Sequence, residues 1–109
     1  MLSHIHIGVN DFERSFAFYE SLLPVLGLEL KFKENERPWA GWMMPGKARP
    51  LFIVGKPYNG QPAAKGNGQM IALLAPSRRH VDQCYVAAMA NGATSEGPPG
   101  MRPEYHANY

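Results

Sequence analysis

Two histidines near the start of the chain, His4 and His6, combine residue type and spacing in a way that suggests chemistry. One residue apart, their imidazoles leave an extended backbone on the same side. Such a pair offers a metal ion two nitrogens, or an organic ligand two groups that exchange hydrogen bonds near neutral pH. Two imidazoles alone do not hold zinc or iron tightly, because stable sites take three or four donors. His4 is therefore either one ligand of a larger set or an ordinary strand histidine. His6 reads as a cavity-lining donor and acceptor. Towards the other end, Arg102, Tyr105 and His106 share one loop. There His106 is suited to acid/base work or a polar substrate contact, and Arg102 to pairing with a carboxylate or phosphate. A solvated surface loop is the competing reading of all three. His80, in the first turn of a helix, reads as solvated. Cys84 sits at an apolar helical position and reads as covered and inert rather than nucleophilic.

These side chains need elements to position them. Residues 3–9 alternate as a strand, with Ile5, Ile7 and Val9 on one face and His4, His6 and Gly8 on the other. Asn10 and Asp11 are helix N-cap types, and Glu13 stands where it closes a capping box with Asn10. Phe12, Phe16, Tyr19, Leu22 and Leu23 then recur at helical spacing. Pro24 ends that helix, and Gly27 suits a left-handed position after it. Residues 28–33, 39–44 and 51–56 read as three strands, the last two joined by the hairpin loop "MPGKARP". The polar stretch "KPYNGQPAAKGNG" is the best internal boundary. It divides a first module, residues 1–57, from a linker, 58–67, and a second, partial module, 68–109. In the latter, residues 69–75 ("QMIALLA") read as a strand, and Ser77 caps a helix whose Val81, Cys84, Tyr85 and Ala88 share a face. Asn91 and Gly92 stop it. Offset by about 66 residues, strand lies on strand and cap on cap, and His4 falls on Met70; the pattern fits two copies of one unit and equally the strand–cap–helix–Gly order common to α+β proteins.

The 109 residues suffice for one domain with one core. Apolar residues are 45% and charged residues 18%, which excludes a disordered chain. The 11 glycines and 10 prolines imply many turns and short strands. A net charge of +2 without a run of Lys or Arg disfavours nucleic acid and acidic membrane surfaces as partners. One cysteine excludes an internal disulfide and fits a reducing compartment. No segment has the apolar length of a signal peptide or membrane span, so a cytoplasmic location is expected.

The stretch "HIHIGVNDFERSFAFYESLLPVLGLEL" resembles the opening motif of the vicinal oxygen chelate superfamily, which includes glyoxalase I, extradiol dioxygenases, fosfomycin-modifying transferases and bleomycin-resistance proteins. "GQMIALLAPSRRHVDQCYVAAMANGA" resembles that family's second repeat, and "GPPGMRPEYHANY" a loop of many bacterial members. The resemblance implies an α+β fold of paired βαβββ modules forming a cup-shaped mixed sheet around a small-molecule site. It implies, in metal-using members, a facial His, Gln and Glu set holding a divalent ion. Here His4 matches the first-strand ligand. Met70 stands where the second module offers His, and a thioether suits such metals poorly. The third ligand, a Glu after an Asp-Pro-Asp-Gly turn, has no counterpart before Tyr109. No cofactor is expected in this chain from its own donors, although a divalent metal is possible.

The second copy continues after its helix only through residues 93–109, room for one short strand and the loop, so the second module is expected to be incomplete. An uncovered apolar cup and an unpaired edge fit a fragment, a natural truncation, or a homodimer whose partner covers the gap; a homodimer is the expectation. Trp39 and Trp42 alternate across their strand, one for the core and the other for the cup or solvent. The cup is expected to be lined by His6, Trp42, Met70, Arg102, Tyr105 and His106, an aromatic wall suiting a partly apolar small molecule. Two functions follow. One is a metal-free protein that binds or sequesters a small organic ligand, which Met70 and the lack of the Glu favour. The other is a metal-dependent lyase, isomerase, dioxygenase or thiol transferase completed by donors from elsewhere.

Overall fold

A computed structural model of the chain describes residues 1–105. His106, expected in the cup, lies outside them. The first module folds as β1 (His4–Gly8), α1 (Phe12–Leu22), β2 (Glu29–Glu34), β3 (Trp39–Met43) and β4 (Leu51–Gly55). The strands form one open, curved sheet in the order β1-β4-β3-β2. β1 runs parallel to β4 across the α1 crossover, while β4, β3 and β2 are joined as antiparallel neighbours. The sheet is thus mixed, as expected of an α+β module.

Local sequence explains each boundary. Asp11 is the N-cap of α1, its carboxylate accepting from the Arg14 N–H at 3.2 Å. The capping box expected from Asn10 and Glu13 does not form. Asn10 reaches the linker instead, and Glu13 pairs with Lys33 at 3.4 Å. α1 tightens into a 3₁₀ turn over Leu23–Leu26, with Pro24 at its start. Pro24 cannot donate to an α-helical ladder, and Gly27 closes the turn at φ 89°, a conformation glycine adopts without steric cost.

One face of the sheet carries the core. Phe52 and Val54 of β4 meet Ala40 and Trp42 of β3 beneath Phe12, Leu22, Leu23 and Leu26. Trp42, Leu23 and Val54 are wholly buried, each contributing on the order of 1.5–3 kcal/mol or more by burial. Trp42 stacks on Phe16 (5.6 Å between ring centroids) and lies 6.4 Å from Tyr19, while its indole N–H donates to Glu20 at 3.0 Å. Lys33 lays its ammonium over the Phe16 ring at 4.3 Å, covering the rim of this layer.

The chain after β4 contributes α2 (Arg78–Ala90), capped by Ser77, whose hydroxyl accepts from the His80 N–H at 3.3 Å. His80 also shares a 2.7 Å hydrogen bond between its Nδ1 and the Ser77 hydroxyl. α2 packs on α1 and the 3₁₀ turn, and none of its residues is fully buried. The strand expected over residues 69–75 does not form. A strand needs a neighbour for its backbone groups, and among the described residues the sheet has four strands, none of them in the second module. The segment is left without a ladder, with Met70 83% and Leu74 92% exposed. No helix of the described residues is long and apolar enough to cross a membrane.

Candidate functional site

The face of the sheet opposite the helices is the candidate site, and register determines what it presents. Side chains alternate along each strand, so cross-strand partners share a face. In β1 and β4, Ile5 pairs with Phe52 and Ile7 with Val54 on the core side. That sends His4, His6 and Gly8 to the open side with Leu51, Ile53 and Gly55. Across β3, Gly41 pairs with Ile53 and Trp39 with Gly55. Across β2, Phe32 pairs with Gly41 and Glu34 with Trp39. Two rows result: His6, Ile53, Gly41, Phe32 and, beside it, Gly8, Gly55, Trp39, Glu34.

Glycine makes these rows possible. A Cβ on Gly41 would fall within the Phe32 ring, and one on Gly55 would lie 2.7 Å from the Trp39 Cβ and 2.9 Å from the Pro38 carbonyl oxygen. Phe32 and Trp39 thus lie down on the sheet, their rings edge to face at 4.9 Å. They leave Ile53 almost wholly covered. The guanidinium of Arg37, from the β2–β3 turn, stacks on the Trp39 indole at 3.8 Å. The indole N–H of Trp39 donates to the Glu34 carboxylate.

His4 and His6 therefore stand on one face, as their spacing requires. His4 is exposed, with its Nδ1 3.5 Å from the Ser3 hydroxyl. Partial burial pushes the His6 imidazole below its usual pKa, and the charges of His4 and Arg37 push the same way. The shift favours the neutral imidazole, which can donate at one nitrogen and accept at the other. An open groove of about 600 Å³ runs beside it, bounded by Gly8, Asn10, Ala63, Gln69, Met70 and neighbouring residues. The structure so brings His6 and Met70 to one groove. The wall opposite β1 is the linker, and Asn10 fastens it: its amide donates to the Ala63 carbonyl at 3.1 Å and accepts from the Ala63 N–H at 2.7 Å.

The other expected site residues are not gathered there. Trp42, expected on the cup wall, is 0% exposed on the helix-covered face. The reason is its pairing with Phe52, which fixes it on the core side. Trp39 takes the open face in its place. Arg102 spends its guanidinium on its own loop, donating to the Pro98 carbonyl at 2.7 Å and the Met101 carbonyl at 3.3 Å. Tyr105 is 72% exposed, and its backbone N–H donates to the Arg102 carbonyl. Their loop is tied to α2 through Arg78 and Met101, at 3.6 Å. Neither residue borders the His6–Met70 groove.

Two residues of this face carry no sequence signal, and a third, Asn10, has a role that its cap position does not reveal. Arg37 and Phe32 carry no motif, and their place on the open face follows from the β2–β3 register and its irregularity between Leu30 and Phe32. Asn10 reads as a cap, and nothing local marks its partner 53 residues away.

Among the described residues, no group of three His, Cys, Asp or Glu side chains converges as a metal site. Two exposed imidazoles and a thioether do not make the harder, three-donor set that a catalytic divalent ion requires. The described residues of this chain do not by themselves fit such an ion.

Comparison with known proteins agrees with the architecture. The sequence model of the Glyoxalase/Bleomycin resistance protein/Dioxygenase superfamily matches residues 1–109. The chain is similar to the crystal structure of a glyoxalase/bleomycin resistance protein from Albidiferax ferrireducens T118, at 38% identity and TM-score 0.81, over 96% of this chain and 82% of the other. In fold alone it is similar to the hypothetical protein SA1046 from S. aureus (19% identity, TM-score 0.62, 94% and 76% covered). The same holds for a glyoxalase/bleomycin resistance protein/dioxygenase from Nocardioides (21%, 0.58, 94% and 69%). No curated protein sequence matches significantly.

Proposed function

The chain belongs to the Glyoxalase/Bleomycin resistance protein/Dioxygenase superfamily, and from that premise we propose that it binds a small organic molecule on the open face of its sheet without a complete metal site of its own. The observation that carries this reading is the pairing of His4 and His6 on the uncovered face with no third donor among the described residues. What stands beside them is a ring-lined floor of Phe32 and Trp39 and the groove bounded by Met70. Such a surface recognises a partly apolar ligand by contact area and orients it with a few polar groups. His6 supplies one of these as a neutral imidazole.

A second reading is favoured by the position of His4 at the start of β1. There it is a ligand of a divalent ion whose other donors come from a partner chain or from residues outside those described, in a lyase, isomerase, dioxygenase or thiol transferase of the superfamily. A homodimer serves both readings. It is supported by the apolar side chains left uncovered on the second module, Ile71, Leu74, Val81, Val86 and Met89.

Metal analysis of the purified protein, followed by calorimetric titration with Mn²⁺ and Zn²⁺, tests the choice. Substoichiometric metal and weak, unsaturated binding are expected. Tight one-to-one metal that disappears in His4→Ala overturns the metal-free reading. Light scattering coupled to size exclusion tests the dimer, which a monomeric mass refutes.

A further inference from the structure

We propose that residues 57–66, which follow β4, form a strap that Asn10 clasps across the end of β1, and that it divides two grooves that join when the clasp releases.

The strap is rooted at one end and otherwise held at one point. At its root the Lys56 N–H donates to the Pro38 carbonyl at 3.1 Å. The turn that follows bonds to itself: the Gly60 N–H donates to the Pro57 carbonyl and the Gln61 N–H to the Asn59 side-chain oxygen, both at 2.9 Å. Among the described residues, the strap's hydrogen bonds to the rest of the fold are the two that Asn10 exchanges with the Ala63 backbone. The Asn10 amide acts there as a neighbouring strand would, accepting from the N–H and donating to the carbonyl of one residue. Both bonds are open to water. Burial follows the same pattern. Pro57 and Ala63 are half-buried, and every other residue of the strap is exposed. Those two rest on Gly8, where a Cβ would come within 3.2 Å of the Pro57 Cγ and 3.5 Å of the Ala63 Cβ. Gly8 is thus the seat and Asn10 the catch. A segment with so little covered surface belongs to the low-stability end of a fold, where a local opening leaves the rest intact.

The clasp stands between two grooves. Gly60, Gln61 and Pro62 border one of about 730 Å³ that reaches the start of α1 at Phe12. Residues 63–66 border the groove of about 600 Å³ beside His6. Val9 and Asn10 border both. On the small-molecule reading above, each groove suits a compact ligand while the strap is down. Lifting it joins the two in one trough that takes an elongated ligand.

The test follows access of a soluble nitroxide, TEMPOL, to the strand beneath the strap. It is read in the full chain as paramagnetic broadening of the amide resonances at positions 8 and 9. Wild type is compared with Asn10→Ala, with Gly8→Val, which fills the seat, and with a disulfide made by Gly8→Cys and Ala63→Cys in a Cys84→Ala background. The 3.5 Å between the Cβ positions lies at the near limit of the about 3.5–4.5 Å that a disulfide spans. Asn10→Ala and Gly8→Val are each expected to raise the broadening about 2-fold or more, and the disulfide to lower it, with the β3 amides unchanged throughout. Thermal melting by circular dichroism shows which forms are folded; Asn10→Ala, an exposed change, carries the test where Gly8→Val does not fold. Broadening that is the same in wild type, Asn10→Ala and the disulfide form, or that rises equally across β3, overturns the strap. Failure of the two cysteines to pair in the folded chain does so as well. No ligand enters the measurement, so these results leave the small-molecule reading standing, and an absence of small-molecule binding leaves the strap standing.

Discussion

The two tryptophans of β3 lie on opposite faces of the sheet, and their substitution tests the face assignment directly. Trp42 has no exposed surface, stacks on Phe16, approaches Tyr19 and donates to Glu20. Its truncation to alanine removes the largest fully buried side chain. Losses for buried Trp→Ala run at about 3–5 kcal/mol, a large share of the roughly 5–15 kcal/mol that holds a typical domain folded. Glu20 is only part-buried, so water replaces its lost partner and little is added on that account. Trp42→Phe retains most of the apolar contact and should cost about 1–2 kcal/mol through volume loss and the missing N–H. Trp39 is half-buried against Phe32 on the open face, and Trp39→Phe should cost less than about 1 kcal/mol. Urea unfolding followed by far-ultraviolet circular dichroism measures all three without relying on the fluorophores being changed. Ligand titration supplies the complementary readout on the small-molecule reading proposed above: Trp39→Phe is expected to weaken binding of a flat aromatic probe such as 2-naphthol, and Trp42→Phe, where folded, is not. If Trp39→Phe proves as destabilising as Trp42→Ala, or if Trp42→Phe alone alters binding, the faces have been assigned the wrong way round.

Three further outcomes are expected. His6 has a pKa lowered below 6.5 in the fold, so the unfolded chain binds more protons between the two values. Stability should therefore fall as pH drops through about 6.5 and level off below the folded value, and His6→Gln should flatten that part of a pH–melting curve; an unchanged slope refutes the assignment. Burial raises the pKa of the Cys84 thiol, which lies 3.7 Å from the Leu22 carbonyl, so a disulfide reagent at pH 8 should label it several-fold more slowly in the native than in the urea-unfolded chain. Asn10→Ala removes both bonds to Ala63; amide exchange of residues 58–67 should accelerate about 10-fold or more, consistent with roughly 1–2 kcal/mol of lost hydrogen bonding, while β3 and β4 exchange as before.

Legibility in the sequence followed the range of the interactions. The alternation of residues 4–8, the apolar spacing of α1, Gly27 and the Ser77 cap are local signals, and the elements they mark are present within a residue or two of their expected limits. The strand expected at residues 69–75 had the right composition but depended on a neighbour, and composition cannot supply one. The same distinction runs through the site. That His4 and His6 share a face is a property of any strand. Which of Trp39 and Trp42 joins them depends on the pairing of β3 with β4, a non-local fact that reverses with a shift of one residue. Pairing with Phe52 holds Trp42 on the core face, so the expectation that it lines the cup does not hold. Arg102 carries the charge expected of a ligand contact, yet its acceptors are the carbonyls of its own loop, whereas Arg37 lies on an aromatic ring.

The chemistry of the open face thus depends on residues that carry none. β4 lies between β1 and β3, and its Ile53 and Gly55 separate the histidines from the aromatic rings. A side chain at position 55 would meet the Pro38 carbonyl and the Trp39 Cβ, both close to the backbone and unable to swing aside. Trp39 would have to rise from the sheet, taking the stacked Arg37 with it. The clash at position 41 is of a different kind, since it falls on the far end of the Phe32 side chain, which has solvent to rotate into. Gly55 is therefore the stricter requirement, although both glycines are buried and both adjoin a ring. A flat floor with a guanidinium held at a fixed height above it needs backbone at the lowest point of the row. The sequence meets that need with a glycine on one strand, an aromatic residue on the next and a short turn that returns Arg37 over the ring. What this face presents is consequently a matter of sheet register first and of side-chain identity second.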